Sequence, residues 1–260
     1  MRVVAIIQAR MGSSRLPGKV LREVAGQPML VHVLERALAC KHLDQVIVAT
    51  TDTAEDTAVF EVAETFGVAT FTGSRDDVLD RYYRAAQAYN ADVVVRLTAD
   101  CPLLDPAEVD CVIRYFLAHL DLDYAGTGRT YPQGYDAEVF SIAALRRAWQ
   151  GASLRSEREH VTPYIWKHPE LFRVERLELQ EDLSTFRVTV DEEPDLQVVS
   201  SVVEALAPSD PLFGMNVTVA FLRAHPEIAS MNTHIGRLEG YWMSVAADKH
   251  VPSQSGHPEE

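Results

Sequence analysis

An apolar run, Val3 to Ile7, stops abruptly at a loop that holds Arg10, Arg15 and Lys19 among Gly12, Ser13, Ser14 and Gly18. Three cations, hydroxyls and free backbone N–H groups thus gather at one strand end. In an open α/β sheet that edge is where ligands bind. The loop reads as a polyanion cradle, and it constrains the chain to a sheet that can present it.

The patterns that follow alternate as such a sheet requires. Residues 28–40 carry Leu30, Val33, Leu34, Ala37 and Leu38 at helical spacing, with Pro28 suited to a first turn. A strand is expected over 45–50. A helix capped by Asp52 or Thr53 runs to Phe66, with Gly67 closing it. A strand over 68–71, a helix over 76–89 (Ser74 or Asp76 as cap) and a fully buried strand over 92–97 follow. Asp105-Pro106 opens the next helix. This β-α-β-α order predicts an α/β fold, a mostly parallel sheet with helices on both faces.

Beyond Leu120 the pattern loosens. Short strands are expected at 123–125 and 137–140, helices at 142–150 and 157–167, and alternating strands at 172–179 and 185–190. A helix over 194–206 and an amphipathic segment over 216–224 come last. The expected division is a main domain over 1–210 with a small α+β lobe at about 126–180, an extension over 211–247, and a disordered tail over 248–260.

Charge and cysteine content narrow the function. A net charge of −14 argues against a nucleic-acid surface but not against a nucleotide site, since local cations dominate at short range. Three cysteines without a CxxC give no disulfide framework, and the nine histidines show no zinc spacing. With no secretory pattern and no apolar run of membrane-spanning length, a cytoplasmic chain is expected.

Familiar phosphate motifs do not fit the first loop. Gly12 and Gly18 are separated by five residues and Val20 follows Lys19, so it is not a P-loop. The closely spaced glycines of a dinucleotide fingerprint are missing. Two aspartates at strand ends complete the picture. Asp100 follows Val-Val-Val-Arg-Leu-Thr-Ala, and Asp191 follows Phe-Arg-Val-Thr-Val. Such a pair suits Mg²⁺, which takes one or two carboxylates and leaves the rest to phosphate and water. The alternatives are a turn residue for Asp100 and a helix N-cap for Asp191; Asp195 reads as stabilising a helix N-terminus. Arg96 and Thr98 share one face of their strand; Arg96 either pairs structurally or faces a nucleotide.

The run Gln-Ala-Arg-Met-x-Ser-x-Arg-Leu-Pro-Gly-Lys-Val-Leu at 8–21 resembles the signature of the sugar nucleotidylyltransferases, in particular the cytidylyltransferases that activate sugar acids. It looks most like the SpsF-like (spore coat polysaccharide biosynthesis) branch, related to CMP-Kdo and CMP-sialic acid synthetases. Residues 132–140 resemble that branch's Pro-x-Gly-Leu-Asp-x-Glu-Val-Phe, with Tyr135 in place of Leu, and Gly236 to Ser244 resembles its C-terminal pattern. The resemblance implies a Rossmann-like fold of the nucleotide-diphospho-sugar transferase type. It implies Mg²⁺-dependent transfer of a nucleotidyl group, from CTP by analogy, to a sugar acid or related sugar, with release of pyrophosphate, for surface polysaccharide or glycan biosynthesis. Arg10, Arg15 and Lys19 would hold phosphates and stabilise the leaving group. Gln8, Ala9, Gly12, Ser13, Ser74, Arg96 and Thr98 would contact the nucleotide. Asp100 and Asp191 would hold the metal, and Asp136, Glu138, Arg158, His160 and Tyr164 the acceptor. Relatives imply a homodimer, with no nucleic-acid or membrane partner.

Two rivals stand beside this reading. One is a GT-A-like glycosyltransferase, whose metal motif Asp121-Leu122-Asp123 imitates; here that triplet reads as a helix-to-strand turn. The other is a non-catalytic nucleotide-sugar-binding protein, which would tolerate loss of Lys19 or Asp100, yet both are present.

Overall fold

A computed structural model describes residues 1–249; the tail expected to be disordered lies, from residue 250 on, outside the described residues. The chain runs through β1 (Val3–Gln8), a two-stranded hairpin of β2 (Glu23–Val24) and β3 (Gln27–Pro28), α1 (Met29–Leu38), β4 (Gln45–Thr51), α2 (Thr57–Thr65), β5 (Ala69–Gly73), α3 (Val78–Ala88), β6 (Val93–Thr98) and α4 (Pro106–Ala118). It continues through β7 (Tyr124–Thr127), β8 (Glu138–Ser141), α5 (Ile142–Gly151), α6 (Arg155–His160), α7 (Pro163–Lys167) and β9 (Val174–Leu177). The last elements are α8 (Glu193–Leu206), α9 (Met215–Ala224), α10 (Pro226–Ala229) and α11 (Glu239–Ala246).

Seven strands form one sheet in the order β5-β4-β1-β6-β8-β7-β9. β8 alone runs against its neighbours β6 and β7; the other pairings are parallel. The mostly parallel sheet expected from the β-α alternation is therefore present. β1 sits between β4 and β6 and is buried on both faces, which is why its sequence is a continuous apolar run. Val3, Ala5 and Ile7 meet residues of α1, α2 and α4, such as Leu34, Val59 and Ile113. Val4 and Ile6 meet Leu79 and Tyr82 of α3 and Leu145 of α5. Helices thus cover both faces, and removing a large buried side chain such as Phe116 costs about 3–5 kcal/mol.

A third apolar cluster joins α8 and α9 to Val188, Val190 and Met29. The buried Arg36 of α1 donates from Nη1 to the carbonyl of Phe213 at 2.9 Å, so residues beyond 210 are packed onto the main body.

Several local expectations need correction. The single helix over 157–167 is two, α6 and α7, broken where Val161 takes φ +73. Thr162 is back in the helical region and Pro163 takes the first position of α7, so the break is confined to Val161. The strand over 185–190 is extended chain with one parallel bridge, Gln133 to Arg187. Neither Asp52 nor Thr53 caps α2: a 3-10 turn, Ala54–Asp56, intervenes, and Thr53 makes no side-chain capping bond, its hydroxyl donating to Asp56 Oδ2 at 3.3 Å instead. Asp77, not Ser74 or Asp76, caps α3 by accepting from the Asp80 N–H at 2.9 Å. Pro28 precedes α1 as its cap residue instead of lying in the first turn.

Candidate active site

The C-terminal ends of β1, β4 and β6 lie side by side, and the first loop leaves from the middle one. The Met11 N–H donates to the buried Asp56 carboxylate at 2.6 Å, and the Gly18 N–H donates back to the Met11 carbonyl at 3.0 Å. Gly18 takes φ +67, which a side chain would strain. That turn points Lys19 back over the sheet edge. Ser13 Oγ accepts from the Leu16 N–H at 3.3 Å, so this serine shapes the loop.

Lys19 Nζ donates to Asp100 Oδ2 at 2.8 Å, to Asp191 Oδ1 at 2.9 Å and to the Val190 carbonyl at 2.9 Å. The two strand-end aspartates, 91 residues apart in sequence, therefore share one ammonium. The backbone secures them: the Val190 N–H donates to the Asp100 carbonyl at 2.8 Å. Arg15 lies 3.1 Å from Asp191 Oδ1, and Arg187 reaches Asp191 Oδ2 at 2.9 Å. Arg187 also grips the buried Asp195, which accepts from the Asp191 and Glu192 N–H groups at the start of α8. Asp195 is thus the helix-stabilising acid that holds Asp191 in place.

The charges reinforce one another. Burial pushes the Asp100 carboxyl up, and the adjacent Lys19 ammonium overrides it and holds the group at about 2. Burial works to lower Lys19, and Asp100 and Asp191 outweigh it and raise its pKa. Asp100 and Asp191 are an all-oxygen donor pair already gathered around one cation. Among the described residues no cluster of three or more potential ligands exists. Two carboxylates without a full protein cage fit Mg²⁺ better than a dedicated structural metal.

Two cavities meet at this pair. The first, about 540 Å³, is lined by Gln8, Ala9, Arg10, Gly12, Ser13, Arg15 and Lys19 from the first loop. Arg75 and Arg81 on one side, and Arg155, Glu159, Met243 and Ser244 on the other, complete it. Its cations are dense although the chain is acidic. The second, about 440 Å³, is lined by Arg96, Asp136, Glu138, Arg129, Arg176 and Arg237, with an aromatic wall of Trp166, Tyr241 and Trp242. Arg15, Thr98, Asp100, His160, Asp191 and Gly240 line both.

Most expected site residues are thus brought together, with differences. Arg96 lines the second cavity, not the first, and forms an ion pair with Glu138. Glu138 also accepts from Tyr124 Oη and Thr162 Oγ1, each at 2.7 Å. Asp136 accepts from the Gly134 N–H at 3.0 Å, and burial raises its pKa. Gly134, at φ +112, lies where a Cβ would come within 2.6 Å of the Thr189 nitrogen; only glycine lets the 132–140 loop press against the Asp191 segment. His160 stands at the junction, and burial, then Arg96, lowers its pKa to about 4.

Three expected residues lie elsewhere. Arg158 is buried and donates to Asp77 Oδ2 at 2.7 Å and to the carbonyls of Trp149 and Ala152. It ties α6 to α3 and α5 and lines neither cavity. Tyr164 packs edge-on against Phe172, 6.0 Å between ring centres, in the apolar core. Ser74 accepts from the Asp77 N–H at 3.0 Å as a turn residue and lines neither cavity. Asp121 and Asp123 precede β7, at the sheet edge away from the cavities, where both contact Arg173. Sequence reasoning overlooked Arg75, Arg81, Arg155, Arg176, Arg237 and α11; the Gly236–Ser244 pattern was the available signal for the last. No described helix is long and apolar enough to cross a membrane.

Comparisons with known proteins agree with this geometry. The family model described as cytidylyltransferase matches residues 4–210. An uncharacterised protein of Methanocaldococcus jannaschii is 38% identical over 239 residues, covering 90% of this chain and 96% of that protein. The spore coat polysaccharide biosynthesis protein SpsF of Bacillus subtilis is 34% identical over 239 residues, covering 88% and 97%. A solved cytidylyltransferase from Leptospira borgpetersenii superposes with TM-score 0.84 at 33% identity, over 88% of this chain and 97% of that one. A CMP:2-keto-3-deoxy-manno-octonic acid synthetase complexed with CTP, at 22% identity, 78% and 99% coverage and TM-score 0.61, shares the Rossmann-like fold. The matched segment runs through the first loop, Asp100 and Asp191, and the chain is an enzyme of the cytidylyltransferase family.

Proposed function

We propose that this enzyme transfers the cytidylyl group of CTP to a hydroxyl of a sugar acid or related sugar, with Mg²⁺ and release of pyrophosphate, for surface polysaccharide or glycan synthesis. The observation that carries this reading is the meeting of a cation-lined cavity and an aromatic-walled cavity at Asp100 and Asp191, the two carboxylates that Lys19 bridges. Two substrates that must react need such a junction. The names of relatives add the base and the biosynthetic setting.

The acceptor oxygen attacks the α-phosphorus and its proton passes to solvent water. The O–P bond forms as the bond to the β-phosphate oxygen breaks. Such chemistry is mainly positioning and charge neutralisation. Arg10, Arg15 and Lys19 hold the β- and γ-phosphates and stabilise charge developing on the departing pyrophosphate. The guanidinium fork suits bidentate phosphate contact, whereas Lys19 acts as a point charge. Gln8, Ala9, Gly12, Ser13 and Thr98 line the nucleotide's cavity. Asp136, Glu138 and His160 line the acceptor's, with Arg176 and Arg237 favouring an anionic acceptor. Asp100 and Asp191 are the residues that hold Mg²⁺, which supplies neutralisation of phosphate charge when bound.

In this reading 1–210 is the catalytic unit, the lobe at about 126–180 serves the acceptor and a second copy of the chain, and 211–247 closes the site. A pyrophosphate-release screen tests the proposal, pairing CTP, GTP, UTP and ATP with sugar acids and sugar 1-phosphates. Release with CTP and a sugar acid is expected. No release with any pair, alongside sugar transfer from a preformed nucleotide sugar, would move the protein to the glycosyltransferases.

A further inference from the structure

Arg15 is surrounded by carboxylates. Beyond Asp191, its Nη1 lies 3.6 Å from Glu192 Oε1 and 3.3 Å from Glu239 Oε2. Glu192 sits at the fixed start of α8, beneath the Asp195 bonds. Glu239 opens α11, in the extension beyond the family-matched segment. α11 is the wall common to both cavities: Gly240, Met243 and Ser244 face the first, and Tyr241 and Trp242 the second.

The attachment of α11 is poised to change. Leu238, just before it, takes φ +55, a left-handed conformation that costs a non-glycine residue roughly 1 kcal/mol. The fit at the contact is close: a Cβ on Gly240 would stand 3.2 Å from Arg15 Nη2. Downstream, α11 touches acceptor-side groups. Ser244 Oγ lies 3.1 Å from His160 Nε2, and Tyr241 packs edge-on against His160 and Trp166.

We propose that Glu239 is a positioning residue that couples the two substrate sites. Without nucleotide it holds Arg15 and, through it, α11. A triphosphate takes Arg15 from Glu239 and repels the freed carboxylate. The start of α11 then withdraws, carrying Tyr241 and Trp242, and the acceptor cavity widens only after the nucleotide is in place. Reciprocity of linkage requires that an acceptor favouring the withdrawn α11 also tighten nucleotide binding. This rests on the assignment of Arg15 to the triphosphate.

The test uses the full chain with CTP and Mg²⁺ as probe. Titration calorimetry of Glu239→Gln should show CTP binding about threefold to fivefold tighter than wild type, the scale of an exposed ion pair. Glu239→Asp, which keeps the charge, should return towards the wild-type Kd. In the wild type, CTP should speed amide hydrogen exchange over residues 239–246, and in Glu239→Gln that region should exchange fast before CTP is added. An unchanged Kd in Glu239→Gln, or exchange over 239–246 that ignores CTP, overturns the coupling while leaving cytidylyl transfer intact. Absence of CTP binding by the wild type would instead sink the proposed function itself.

Discussion

Lys19 Nζ lies 2.8 Å from Asp100 Oδ2 and 2.9 Å from Asp191 Oδ1, so a partly buried lysine bridges the two carboxylates proposed to hold the metal. Its charge relieves repulsion between Asp100 and Asp191, as the proposed divalent cation would. A cation arriving without nucleotide must compete with it. Lys19→Ala is therefore expected to bind Mn²⁺ more tightly than wild type in the absence of CTP, read by titration calorimetry. The same variant should bind CTP about tenfold or more weakly, having lost a phosphate contact. Unchanged affinities for both would remove Lys19 from the site.

Acid stability follows from the same contact. The Asp100 pKa is depressed to about 2 from an ordinary value of 3.8. Its contribution is complete above the ordinary value and is lost as pH falls through about 2. Lys19 is shifted the other way, so its contribution holds below 10.5 and disappears as pH rises past its folded value. Asp100→Asn should lower turnover by about a thousandfold, ~4 kcal/mol of barrier. Its far-UV circular dichroism should match wild type; full turnover by the variant would exclude Asp100.

The ion pair of Arg96 with Glu138 is mostly buried, at 15% and 13% side-chain exposure. Burial pushes Glu138 up and Arg96 overrides it, leaving its pKa lowered. The pair's contribution is therefore present above the ordinary carboxyl pKa of 4.5 and fades as pH falls below it. Glu138→Gln leaves a buried guanidinium without its counter-charge, and urea unfolding should show a loss of about 3–5 kcal/mol. A loss under 1 kcal/mol would mean that water reaches Arg96.

What could be read in advance tracks how local the physics is. β1 and the first loop were legible because a buried strand and its glycine-rich exit are written in adjacent residues. Asp100 and Asp191 were legible as strand-end carboxylates, but not their common contact with Lys19, which depends on chain crossing at β6 and before α8. Tyr164 was misplaced because the break at Val161 turns α7 against the core, and Arg158 because its partner Asp77 lies 81 residues away in sequence. Ser74 was misplaced because Asp77, three residues on, takes the capping role and draws the serine into the turn. The role of α11 was hidden for a different reason: its contacts to Arg15 and His160 span 224 and 84 residues of sequence.

His160 offers a separate test of the junction. Burial, then the charge of Arg96, lowers its pKa from 6.5 to about 4, against the opposing pull of Glu159 and Glu138. In the unfolded chain the imidazole takes up a proton near pH 6.5; in the folded protein it resists until about 4. Between those values the unfolded state binds more protons, so folding stability must fall as pH falls. The contribution is intact above 6.5 and is lost on the way to 4. Thermal midpoints of wild type and His160→Gln, measured from pH 7.5 to 4.5, should converge as the pH drops, because the variant lacks that penalty. Other acids titrate in both proteins and cancel in the difference. If the two curves run parallel, His160 is not the group that titrates, and the imidazole is already open to water where the two cavities meet.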